Sequence, residues 1–115
     1  MRATACSWPV PALGPAGWVR HTRCVHLVEF ALTKPPDAPE ASHDALLAAL
    51  WAVCGPDDGV EHVRVHTSRA GARGAAFLLA PDGAHAVRRC RAVCQRAVEG
   101  SPVLRGWRLV RPAAV

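Results

Sequence analysis

The chain has no uninterrupted apolar run approaching the roughly 20 residues that cross a bilayer as a helix, although half of its 115 residues are apolar. No membrane span is therefore expected, and the protein should be soluble. It also lacks the even cysteine count of a secreted disulfide scaffold. Cys6, Cys24, Cys54, Cys90 and Cys94 are odd in number and irregular in spacing, which favours a reducing compartment and makes the cytoplasm the expected location. A secretory leader is not expected, because Pro9, Pro11 and Pro15 fall where a leader needs a continuous apolar segment. Lysine is nearly missing: thirteen of the fourteen basic residues are Arg. That imbalance, with plentiful Ala, Gly, Pro and Val, matches a GC-rich coding background, so the net charge of +5 counts only in part toward an anionic partner. No P-loop, zinc-ligand spacing or nucleophile and base pair occurs, so no catalytic residue, cofactor or metal site is expected.

What is present is a succession of short periodic segments. The length fits one domain with a core of its own. Residues 1–23 have no usable period and read as an irregular arm, whose Trp8, Leu13 and Trp18 are expected to pack on the domain or on a partner. Residues 24–111 read as the domain and 112–115 as a tail. A first strand over Val25 to Thr33 ends at Lys34-Pro35-Pro36-Asp37-Ala38-Pro39, where proline removes amide donors. Ser42 is a candidate N-cap, Asp44 suits the first turn of a helix, and Gly55-Pro56 stops that helix after Cys54. Glu61 to Ser68 alternates strictly and predicts a half-buried strand. Arg69 to Gly74 reads as a basic, glycine-containing hairpin loop, and Ala75 to Ala80 as a central strand. A second helix is predicted over Ala84 to Glu99, and a last strand over Val103 to Val110 with Trp107 and Leu109 on one side. The order βαββαβ predicts a ferredoxin-like α+β sandwich: a four-stranded antiparallel sheet, first and third strands central, with both helices on one face.

Two surfaces stand out. Past Asp44 the first helix carries no charge: Leu46, Leu47, Leu50, Trp51 and Val53 form a stripe and alanines fill the rest. Apolarity all round suggests burial all round, so Ala48, Ala49 and Ala52, with Trp51, are the candidate partner-binding residues. The second surface is the sheet face without helices, where alternation places Glu29 with His62, Arg64 and His66 as a candidate ligand face. His62 and His66 cannot share a metal ion there, since four strand residues span about 13 Å. Cys90 and Cys94 converge on one helix face, and Cys54 can reach the same seam, but cysteine in such a place most often fills space as a small apolar residue.

Arg73-Gly74-Ala75-Ala76-Phe77-Leu78 is similar to part of the ribonucleoprotein motif on the third strand of RNA-recognition-motif domains, which share this fold order. The resemblance covers six residues and implies base stacking on Phe77. It departs from that family at Ala75 and Ala80, where aromatics are expected, and leaves only Phe30 to supply one from the first strand. RNA binding further requires Arg64, Arg73 and Arg108 to form a basic stripe with Phe77 near its centre. Small dimeric α+β barrel enzymes and cyclases also use this fold, and an enzyme of that kind would need a closed pocket lined by Glu29 and His62 or His66. The function expected from the sequence is a small accessory or protein-binding module, acting as a homodimer or through a different protein.

Overall fold

The computed structural model of the chain describes residues 24–115, and the arm assigned to residues 1–23 lies outside the described residues. Four strands and two main helices follow one another as β1 (Cys24–Thr33), α1 (His43–Ala52), β2 (Val60–Ser68), β3 (Gly71–Ala80), α2 (Gly83–Gly100) and β4 (Arg108–Ala114). The strands form one antiparallel sheet in the order β2-β3-β1-β4, so the first and third strands are central. This is a ferredoxin-like α+β sandwich.

The sheet's two faces follow from its register. Val28 is paired with Ala76, Leu32 with Ala72, and Val63 with Ala76, and all of these are buried in one cluster with Leu46, Leu50, Cys90, Cys94 and Ala97 of the helices. Removing these aliphatic side chains from water, at about 25 cal/mol per Å² of apolar surface, is the main force holding the layers together. Phe30, 5% exposed, belongs to the same cluster.

Both helix starts are capped as their sequences require. The Ser42 hydroxyl accepts from the Ala45 amide at 3.1 Å, and the Asp82 carboxylate accepts from the His85 amide at 2.8 Å, each satisfying a donor that the first turn leaves free. That bond, reinforced by the His85 ring, holds the Asp82 carboxyl below its ordinary range. Arg96 of α2 ties down the end of α1: its Nη2 donates to the Val53 carbonyl at 2.8 Å and to the Asp58 carboxylate at 2.7 Å. Asp58 in turn accepts from the Gly55 amide at 2.6 Å.

Several elements differ from their expected bounds. The hairpin between β2 and β3 turns within Arg69-Ala70, and Gly71 to Gly74 belong to the strand. Gly74 therefore serves packing and not a turn, because a Cβ there would lie 2.7 to 2.8 Å from the Cε atoms of the Phe30 ring. Gly71, at φ 142°, meets the turn's need for a conformation closed to other residues. The last strand starts later than predicted. Pro102–Leu104 is a short 3₁₀ turn, Gly106 adopts φ 84°, and pairing begins at Arg108 and runs to Ala114, so the residues read as a tail are mostly strand. Trp107, 3% exposed, and Leu109 do share the core side. Pro112 is accommodated by a bulge: Glu29 pairs with Ala113 and Ala31 with Val110, leaving Arg111 and Pro112 opposite Phe30 alone.

Candidate functional site

The helix-free face of the sheet is the surface that alternation builds from polar and apolar residues of all four strands. β1 contributes Val25, Leu27, Glu29 and Ala31, and β3 contributes Arg73, Ala75, Phe77 and Leu79. β2 adds His62, Arg64 and His66, and β4 adds Arg108 and Val110. Glu29, His62, Arg64 and His66, assigned to this face from periodicity, all lie on it and are exposed.

The face is divided along its strands. At one end Leu27 pairs with Phe77 and Val25 with Leu79, giving four partly buried apolar side chains on the two central strands. His62 of β2 pairs with Phe77, and the two rings lie 6.0 Å apart at a tilt of 46°. None of the four packs against the main core. At the other end Arg73 pairs with His66 and with Ala31, while Arg108 pairs with Thr33. Arg64, opposite Ala75, lies between the two ends. Arg64, Arg73 and Arg108 thus share one face, but Phe77 sits at the apolar end and not at the centre of the basic group. Phe30 points into the core, so β1 offers the face no aromatic side chain.

Glu29 lies between two alanines, Ala75 on β3 and Ala113 on β4. Such short neighbours leave room beside it, and a cleft of about 330 Å³ opens there, lined by Glu29, Ala31, Arg73, Val110, Arg111 and Ala113, with Phe30 and Gly74 completing its lining. Neither His62 nor His66 lines this cleft. Its basic residues are Arg73 and Arg111. Alternation does not reveal Arg111, because the bulge breaks the period at that point, and the glycines flanking Arg73 point to a loop where the chain is in fact strand.

The first helix is more ordinary than its composition suggested. Leu46, Ala49 and Leu50 are buried and Leu47 and Val53 pack against the core, whereas Ala48 and Ala52 are exposed and Trp51 is 41% exposed. Two assignments change. Ala49, at 8% exposure, faces the sheet and is not available to a partner, and Trp51 leaves the core stripe for the outer surface. An apolar run in an Ala-rich helix does not fix which side faces inward, since alanine is tolerated on either.

Cys90 and Cys94 are buried one helical turn apart, and Cys54 is half-buried near them. The Cys94 thiol is pushed far up by its hydrogen bond with Cys90, by burial and by the neighbouring thiols, and burial likewise raises Cys54, whose Sγ donates to the Leu50 carbonyl at 3.3 Å. Buried, protonated thiols of this kind pack as small apolar side chains. Among the described residues no group of three or more His, Cys, Asp or Glu side chains is placed to hold a metal ion, and no helix is long and apolar enough to cross a membrane. No protein-family model, curated protein or solved structure matches the chain.

Proposed function

We propose that the chain is a small non-catalytic association module that pairs with a second copy of itself through the apolar end of its open sheet face. The observation that supports this reading is the segregation of that face, with Val25, Leu27, Phe77 and Leu79 at one end and Arg73 and Arg108 at the other. An apolar centre with a charged margin is the usual anatomy of a protein contact. Two copies related by a two-fold axis through the apolar end would cover these side chains while sending their arginines in opposite directions, away from one another. A patch of four large side chains per copy suits a reversible dimer better than a permanent one.

Native mass spectrometry of the full chain tests this directly. A dimer that becomes a monomer on Leu27→Glu or Phe77→Glu substitution supports the reading; a monomeric parent, or a dimer indifferent to both changes, overturns it. In the second case Ala48→Glu separates the outer face of α1, with Trp51 and Ala52, from the sheet as the contact surface.

Arg64, Arg73 and Arg108 support a second reading, binding of RNA, because none of the three makes an ion pair among the described residues. Retention on single-stranded RNA that weakens steeply with salt, and that Arg64→Glu with Arg73→Glu abolishes, would favour it over the association module.

A further inference from the structure

We propose that the cleft beside the β4 bulge binds a small amphoteric dicarboxylate, the chemical class of the free acidic amino acids. This goes beyond the association module and does not depend on it, because the cleft lies on the β1 and β4 side of the face, apart from the apolar end. Three charged residues border the cleft, Glu29, Arg73 and Arg111, and none of them forms an ion pair or a side-chain hydrogen bond among the described residues. Three other cations among the described residues are bonded within the fold. Arg89 donates to the Leu79 carbonyl at 2.9 Å, Arg96 binds Val53 and Asp58, and Lys34 Nζ donates to the Ala38 carbonyl at 2.8 Å.

The charge pattern selects the ligand. Two guanidinium groups match two carboxylates, each able to take a forked pair of hydrogen bonds, and the Glu29 carboxylate matches one ammonium. Inorganic phosphate would engage the guanidinium groups but bring no ammonium to Glu29, and a monocarboxylate would leave one guanidinium unmatched. Size agrees: 330 Å³ is near the small end of ligand sites, which run from about 300 to 1,000 Å³. The local backbone is also shaped for it. The bulge gives up regular pairing and sets Arg111 and the buried Pro112 opposite Phe30, and such irregularities recur where a side chain is re-aimed toward a site.

Isothermal titration of the full chain with free glutamate, free aspartate, glutarate, glutamine and inorganic phosphate tests the proposal. Glutamate or aspartate should bind with a Kd on the order of 0.1 to 1 mM, as suits an open cleft and a ligand of about ten heavy atoms, and at least about tenfold more tightly than glutarate, glutamine or phosphate. Arg73→Gln and Arg111→Gln should each weaken that binding by about tenfold or more, and Glu29→Gln should bring glutamate and glutarate to near parity. All three side chains are exposed, so the variants should keep the parent's circular dichroism and melting temperature. The dimer-disrupting Leu27→Glu variant should still bind glutamate, which keeps this test separate from the association reading. Absence of binding by both amino acids, equal binding of phosphate, or affinity unchanged in Arg73→Gln would each overturn the assignment.

Discussion

The ring of Phe30 lies across Gly74, its register partner on the neighbouring central strand, so closely that even a methyl group at position 74 would collide with it. The pairing joins the two middle strands at the level where β4 bulges, and it fixes the inward direction of the aromatic side chain that the RNA reading would need on the open face. Gly74→Ala should destabilise the fold by about 1–3 kcal/mol through overpacking. Phe30→Leu should cost a comparable amount by leaving a gap, yet the double variant should be distinctly less damaged than the sum of the two. Thermal melts of the four proteins give the coupling, and simple additivity would show that the two residues do not share this constraint.

Arg96 links the end of α1, the turn after it and α2 through a single guanidinium. Arg96→Met keeps most of the aliphatic stem and removes the bonds, and should lower stability by about 1 kcal/mol. Asp58→Asn should recover part of the loss in the double variant, since Asp58 otherwise keeps a carboxylate near the Val53 carbonyl without its cation. Chemical denaturation at low and moderate salt measures both effects.

Stability should fall at alkaline pH. The thiols of Cys94 and Cys54 are raised in the folded state above their unfolded values, so their contribution is complete below the unfolded thiol range, near pH 8.5, and is lost as pH rises beyond it. Cys94→Ala should flatten the alkaline limb of a stability profile measured under reducing conditions. In the native protein at neutral pH, iodoacetamide mapped by peptide mass spectrometry should modify half-buried Cys54 ahead of Cys90 and Cys94.

At the acid end the sign reverses. The Asp82 carboxyl is held low by the His85 amide and ring, so its capping contribution is present above the ordinary carboxylate range and is lost as pH falls through the lowered folded value. Asp82→Asn, which caps without charge, should reduce the slope of stability against pH in that region while leaving α2 intact by circular dichroism.

Most boundaries were legible because the residues that end elements act locally. Pro35 and Pro36 stop β1, Ser42 and Asp82 cap the helices, and Gly55-Pro56 stops α1, each through a donor or a torsion that needs no distant partner. The strand order was legible because the alternation of β2 and the apolar β1 and β3 suit only certain positions in such a sheet. Gly74 was misread as a turn residue because its function depends on Phe30, forty-four positions away in sequence by the numbers of the two residues. Pro112 likewise looked like the end of the domain, although an edge strand with a bulge accommodates proline. The open face with Glu29, His62, Arg64 and His66 followed from alternation alone. The cleft did not, because its occupants Arg73 and Arg111 meet Glu29 only through the register of β3 and β4 on either side of β1.

The two borders of the sheet are unequal toward an incoming strand. Along β4 the bulge and the missing amide of Pro112 interrupt any ladder that an incoming strand would need. Along β2 the nine residues from Val60 to Ser68 contain no proline, and their register shifts only at the start, between Val60 and His62. A body with one receptive border and one refractory border can pair with its like once, and that pairing uses up the receptive border of both. Strand addition through β2 alone would therefore close at a pair of copies.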